Sequence, residues 1–230
     1  MKIIITGSEG LIGKRTCELF EEFGYEVVRC DIALGHDLSN ELFVKQFFGA
    51  NKSQYLLNLF GMNDSVGDEL GTNNLFDISL NSFSDYLHVN LTSLFSVCRE
   101  YALNNERGSI VNVSSLYGRV SPDPSLYRTN VNDRRQKHIA YGVSKAGVEQ
   151  LTRHLGVHLA PNIRVNCVAP GGVRFESQDA LFVKNFSDKV ALGRQQTVED
   201  LFGIFRFLCS SDSSYVTCET FRINGGFLQS

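Results

Sequence analysis

Three consecutive β-branched residues, Ile3-Ile4-Ile5, end at Thr6 and run straight into a turn with glycines at 7, 10 and 13. An uninterrupted apolar strand of this kind is buried on both faces, which places it in a parallel sheet covered by helices. The amphipathic stretch that begins at Leu11 and reaches Phe23 supplies the helix that follows. Strand, glycine turn and helix in that order make an anion site, because backbone N–H groups and the positive end of the helix dipole converge there. Glycine is needed where the turn is tight and where a ligand rests on bare backbone. Gly7, Gly10 and Gly13 therefore point to a bound dinucleotide, with an incidental turn as the alternative.

A second apolar run, Tyr25–Cys30, reads as the next strand, and Asp31 stands at its end, eighteen residues after Gly13. A carboxylate at that point accepts the two hydroxyls of an adenosine ribose and repels a 2′-phosphate. Ile32 follows it and offers no basic group to such a phosphate, so NAD is expected in preference to NADP. Arg29 and Lys14 are the two residues that argue the other way.

Further strand-like runs fall at 55–59, 109–113, 163–168 and 220–223, and helical patterns at 40–48, 81–104, 139–160 and 198–209. Such alternation predicts an α/β fold with parallel strands and right-handed helical crossovers. The segment after the second strand is too short for a full helix-and-strand unit and reads as abbreviated. A chain of 230 residues without linkers or repeats fits one domain over 1–230. A net charge of −3 gives no reason to expect nucleic acid or an anionic membrane surface, and no stretch approaches a membrane span. The six cysteines have no metal-ligand spacing, and most lie in apolar stretches, as thiols of a reducing cytoplasm do. No metal is expected.

Tyr141-Gly-Val-Ser-Lys145 sets a phenol and an ammonium one helical turn apart. A free tyrosine titrates near 10, and lowering that by roughly 3 units requires about 4 kcal/mol in favour of the phenolate. An ammonium at about 4 Å supplies energy of that order at an intermediate dielectric, and an oxidised nicotinamide adds to it. Tyr141 is then able to exchange a proton with an alcohol or carbonyl. Ser115 follows the strand 109–113, at the carboxyl edge where ligands of an open parallel sheet bind, and its hydroxyl is placed to hold the reacting oxygen. Asn90, in the stretch 81–104, is able to bind backbone or water and extend a proton path. The plain alternatives are turn serines and a polar residue that kinks a helix.

With these residues in place the chain resembles the short-chain dehydrogenase/reductase family over almost its whole length. The matching stretches are TGSEGLIG (6–13), Asp31, His36-Asp37-Leu38, NLFG (58–61), Asn90, IVNVSS (110–115), YGVSK (141–145), RVNCVAPGGV (164–173) and FRINGG (221–226). The resemblance implies a Rossmann-like, doubly wound parallel sheet and a catalytic tetrad of Asn90, Ser115, Tyr141 and Lys145. It also implies a cofactor site of Gly7, Glu9, Gly10, Leu11, Ile12, Gly13, Asp31, Asp37, Leu38, Asn58, Gly61, Tyr141, Lys145, Pro170, Gly171 and Val173. In the family the lysine also binds the nicotinamide ribose, and the acid at position 37 contacts adenine. A homodimer or homotetramer paired through the helices at 81–104 and 139–160 is implied as well. Asn58-Leu59-Phe60-Gly61 departs from the usual Asn-Asn-Ala-Gly, and Thr217-Cys218 stands where Thr-Gly is frequent. The glycine spacing and the long gap from Ser115 to Tyr141 look like the extended branch of the family. The segments RVNCVAPGG and FRINGG look like the compact branch.

The long gap predicts a substrate loop over 118–138, and the resemblance implies a lid over 174–190. Residues 119–138 carry Arg119, Arg128, Arg134, Arg135 and Lys137 against Asp123 and Asp133, a formal charge of +3 with histidine neutral. Arginine forks suit phosphate or carboxylate, which predicts a small polar, sugar-like or anionic substrate. The stretch 61–80 is acidic at Asp64, Asp68, Glu69 and Asp77, so pairing between the two loops is the alternative. The leading expectation is a dehydrogenase acting on a secondary alcohol or its ketone. An epimerase or dehydratase of a nucleotide sugar that keeps NAD bound is the second, and a non-catalytic dinucleotide-binding regulator the third.

Overall fold

The computed structural model describes residues 1–63, 75–127 and 136–227. Its strands are β1 (Lys2–Thr6), β2 (Glu26–Cys30), β3 (Tyr55–Asn58), β4 (Gly108–Val113), β5 (Ile163–Pro170) and β6 (Thr220–Ile223). They form one sheet in the order β2-β1-β3-β4-β5-β6, and every pairing is parallel. The helices are α1 (Leu11–Glu22), α2 (Glu41–Ala50), α3 (Leu80–Leu87), α4 (Ser93–Asn104), α5 (Ile139–Leu159), α6 (Ala180–Ser187) and α7 (Val198–Leu208).

Alternation along β1 explains how both faces are covered. Ile3 and Ile5 point to one side, where Cys17, Phe20, Leu201 and Phe205 from α1 and α7 meet them. Ile4 points to the other, against Val44, Phe48, Val97 and Val148 from α2, α4 and α5. All three isoleucines are fully buried, so the continuous apolar run has the doubly covered environment that its composition requires. The chain leaves β1 for β2 on one side and returns to β3 on the other. The crevice at the carboxyl ends of β1 and β3 is the switch point at which ligands of such sheets bind.

Between β2 and α2 there is only a short 3-10 turn, Ile32–Leu34, closed by Gly35 in the left-handed region. The abbreviated unit expected there leaves β2 as an edge strand. The stretch 81–104 differs from the single helix expected: a π-helical turn, His88–Thr92, separates α3 from α4. Helix α6 was not foreseen; Asp179 caps it, accepting from the Phe182 N–H. No helix among the described residues is long and apolar enough to cross a membrane.

Cys17, Cys30, Cys98, Cys167 and Cys209 are fully buried and free, and burial pushes each thiol from about 9 to about 12. An unfolded chain releases these protons near pH 9 while the folded chain keeps them. The folded state then holds more protons, and its stability falls as pH rises through that window. Thermal unfolding followed by circular dichroism should show a Tm that drops above pH 9. A flat Tm from pH 8 to 10 would contradict this.

Candidate active site

The turn after β1 is built around its glycines. Gly7 has φ +70°, and a Cβ there would lie 2.5 Å from the Phe60 nitrogen. A Cβ on Gly13 would overlap the Gly7 carbonyl, so helix and turn approach as closely as backbone allows. Gly10 caps α1 with no side chain, leaving the first N–H groups of that helix open. By contrast, Asn40, Ser79, His138 and Asp179 each accept a hydrogen bond at the start of α2, α3, α5 and α6. An open, glycine-lined helix start at the switch point fits a pyrophosphate. Leu11 is exposed beside it, and Ile12 packs on the core beneath.

The Asp31 carboxylate faces this turn: one oxygen accepts from Glu9 N at 3.0 Å and the other from Ala33 N at 2.9 Å. Arg29 is held by Glu21 at 3.0 Å and lies 3.6 Å from Glu9, so its charge is already matched. The Asp37 carboxylate is exposed and accepts from both Ser39 N and Ser39 Oγ, which hold it below the usual carboxylate range. Leu38 is buried behind it.

Asn58 sits at the end of β3, but its side chain points into the sheet. It accepts from Thr6 Oγ1 at 3.0 Å and donates to Asn112 Oδ1 at 2.9 Å, and Asn112 continues to Thr152 on α5 at 3.0 Å. This buried chain of side chains ties β1, β3, β4 and α5 together, so only the Asn58 backbone is left to face a ligand. Gly61 lies against the catalytic candidates: a Cβ there would be 3.1 Å from Asn90 Oδ1 and 3.3 Å from Lys145 Nζ.

Asn90 occupies the middle of the π turn, where the widened helix turns its side chain inward. Its amide accepts from Met62 N at 2.6 Å and donates to Met62 O at 3.1 Å and Ser144 Oγ at 3.0 Å. Ser115, at the carboxyl end of β4, has its hydroxyl near enough to the Tyr141 phenol to oppose the effect of burial on it, and accepts from Tyr117 N at 3.1 Å. Lys145 Nζ donates to the Val113 carbonyl at 2.9 Å and lies 6.0 Å from the Tyr141 ring centre. Burial raises the Tyr141 phenol above its ordinary value, with the nearby Ser115 hydroxyl opposing, and burial lowers Lys145 to about 8. The ammonium expected beside the phenol is also bonded to backbone at Val113.

Pro170 ends β5. Gly171 N donates to Ile223 O at 2.8 Å, Gln196 Nε2 donates to the Gly171 carbonyl at 2.9 Å, and Val173 bridges to Gln196. Lys137, one of the loop charges named above, has its Nζ 5.0 Å from the Tyr141 ring centre. Three further groups escaped the sequence reading. His138 caps α5 through Nδ1, three residues before Tyr141, and is not one of the usual capping types. Tyr117 and Tyr127 are a hydroxyl pair at 2.9 Å, and both belong to the segment weighed above only for its charges.

Of those charges, Arg119 turns inward to Glu149 at 2.8 Å, and Asp123 pairs with Lys189 at 2.6 Å. The expected contributions of Arg128, Asp133, Arg134 and Arg135, and of Asp64, Asp68 and Glu69, lie outside the described residues. Among the described residues no cluster of metal ligands occurs.

A family model described as "Enoyl-(Acyl carrier protein) reductase" matches residues 1–228. A 3-oxoacyl-[acyl-carrier-protein] reductase of Aquifex aeolicus is 30% identical, over 97% of this chain and 86% of its own. Its counterpart in Chlamydia pneumoniae is 29% identical, over 98% and 96%. Among solved structures, a short-chain dehydrogenase of Leptospira borgpetersenii with bound NAD+ superposes with a TM-score of 0.81 at 27% identity, covering 98% of this chain and 92% of that one.

Proposed function

Because this chain belongs to the short-chain dehydrogenase/reductase family, and so is a nicotinamide-dependent oxidoreductase, we propose that it uses NAD to interconvert a secondary alcohol and a ketone. The observation that carries the reading is the grouping of Ser115, Tyr141, Lys145 and Asn90 at the carboxyl edge of the sheet, beside the open start of α1. A bound nicotinamide dinucleotide supplies the hydride acceptor or donor. Tyr141 gives or takes the proton of the reacting oxygen, and Ser115 holds both that oxygen and the phenol. Lys145, held at Val113 next to Gly61, is placed to bond ribose hydroxyls. Asn90 acts by fixing Met62 and Ser144 around this group, since its amide is fully engaged.

NAD rather than NADP is supported by Asp31 and Glu9 facing the same turn, with Arg29 already matched. Titration of the purified protein with each dinucleotide should give tighter binding of NAD. Asp31→Ala should weaken NAD by about tenfold and narrow the difference, as expected from losing hydrogen bonds to an ionised group. NADP bound as well as NAD by the parent protein would reverse the preference. NAD retained through purification would favour the epimerase reading.

We read 118–138 as the substrate loop and 174–190 as the lid. A homodimer or homotetramer is supported by the exposed Phe95 and Leu103 on α4 and Val143 and Val157 on α5. A reducing, cytoplasmic setting is supported by the free thiols among the described residues.

A further inference from the structure

Two N–H groups at the start of α5 are held by one residue, His138. Its backbone carbonyl accepts from Tyr141 N at 3.1 Å, and its ring Nδ1 accepts from Ala140 N at 3.2 Å. At the other end of the ring, Nε2 lies 3.0 Å from Ser82 Oγ on α3. The ring also stacks on Tyr86 of α3, with centres 4.5 Å apart and planes 18° apart. His138 is 2% exposed and Tyr86 is fully buried, so this junction of α3 with α5 lies inside the protein. Helix α3 is itself fixed at its start, where Ser79 Oγ accepts from Ser82 N at 3.0 Å.

Tyr141 is tied into the same junction. Tyr86, Ala140 and Tyr141 form one buried cluster, with Met62, Phe83 and Tyr117 packed against it. The Tyr141 carbonyl accepts from Ser144 Oγ at 2.8 Å, and Ser144 is bonded in turn to Asn90. Tyr141 is thus held on its amino side by His138 and on its carbonyl side by Ser144. An ordinary cap such as Asn or Ser would satisfy Ala140 N alone. A histidine satisfies it and reaches α3 as well.

That use of the ring fixes its state. A backbone N–H only donates, so Nδ1 carries a lone pair and the ring proton sits on Nε2, beside Ser82 Oγ. A second proton, on Nδ1, would set N–H against N–H. The ionisable groups around this junction are Tyr86 and the exposed Asp85 from α3, Tyr117 from the turn after β4, and Lys137 from the chain before α5. Tyr141 and Lys145 come from α5 itself.

We propose that His138 is a positioning residue: in its neutral form it pins the first turn of α5 to α3 and so sets the place of the Tyr141 phenol, and a proton on Nδ1 releases it. That Tyr141 then transfers the proton of a substrate rests on the dehydrogenase reading above.

The test uses the full chain and two readouts that need no substrate. In the first, NMR with isotope labels in the histidine and tyrosine rings and the alanine amides follows the protein from about pH 8 to about pH 5, where histidine titrates. The Tyr141 ring, assigned by its loss in Tyr141→Phe, and the Ala140 amide should move together, with the midpoint of the His138 ring. His138→Asn, which accepts from Ala140 N without titrating, should abolish both movements. In the second, tyrosinate is titrated with NAD added. His138→Ala should shrink the downward shift of Tyr141 by about one unit, an about tenfold weaker preference for the phenolate, and His138→Asn should recover most of it. The parent and His138→Asn decide the first readout alone, whether or not His138→Ala folds.

A Tyr141 ring that stays in place while His138 titrates, or that moves equally in His138→Asn, would overturn the proposal and spare the dehydrogenase reading. A His138 ring that stays neutral down to about pH 5 would overturn it too. Coupled movement in a protein whose Tyr141 does not respond to NAD would sustain the positioning role and sink the dehydrogenase reading.

Discussion

Tyr141→Phe is expected to lower kcat by about 10²–10⁴-fold, the range set by loss of a positioned proton donor, and to leave NAD binding within about twofold. The change removes one hydroxyl from a side chain that is otherwise packed, so the ring still fills the space among Tyr86, Ala140 and Tyr117. What disappears is the hydroxyl near Ser115 that, in the proposed reaction, meets the reacting oxygen. The pH profile carries more information than the loss itself. In the protein alone, burial holds the phenol above its ordinary value and takes Lys145 down to about 8. On the proposed reading, an oxidised nicotinamide would supply a positive charge that favours ionisation of Tyr141, and Lys145 would add to it. A spectrophotometric titration of tyrosinate should therefore show one group moving to lower pH when NAD is added, and none moving in Tyr141→Phe. Full activity in the variant would remove Tyr141 from the chemistry.

How much of this was legible beforehand depended on whether a residue's role is local. β1, its glycine turn and the placing of Asp31 at the end of β2 follow from short-range pattern, because a buried strand and a tight turn each leave a local signature in residue type and spacing. The register of Thr6 beside Asn58, and so the turning of Asn58 into the sheet, follows only from strand pairing. The π turn around Asn90 was invisible for a similar reason: its one extra residue is stabilised by contacts to Met62 and Ser144 made from elsewhere in the chain. The loop after Ser115 was read through its arginines, yet Arg119 serves a buried glutamate, and Tyr117 and Tyr127 pair their hydroxyls and pack on a hydrophobic cluster with Phe186. Charge is conspicuous in composition. Which side chain turns inward is decided by packing, and Phe182 and Phe186, four residues apart on α6, were the available sign of a face waiting for aromatic partners.

Gly13→Ala is the second large effect expected, and a graded series makes it specific. An added Cβ at 13 would overlap the Gly7 carbonyl, a backbone atom held by the turn, so the helix must pull back from the strand end. That movement opens the cradle in which N–H groups converge, and NAD affinity should fall by more than about 100-fold, equivalent to about 2.7 kcal/mol. Gly7→Ala combines a contact of 2.5 Å to the Phe60 nitrogen with a left-handed φ of +70°, and should lower both affinity and Tm. At Gly10 the nearest atom to an added Cβ is the Gly7 carbonyl at 3.3 Å, so Gly10→Ala should cost less than about tenfold. Gly24 supplies the control: it too has a positive φ, +81°, but nothing lies within 4 Å of an added Cβ. Gly24→Ala should therefore cost about 1 kcal/mol of stability from backbone strain and leave NAD affinity unchanged. Isothermal titration with NAD beside thermal unfolding separates the two effects. Equal losses of affinity at positions 10, 13 and 24 would mean that general destabilisation, rather than the geometry of the turn, governs cofactor binding. A loss ordered 13, then 7, then 10, with 24 silent, ties the binding of the dinucleotide to the bare backbone between β1 and α1.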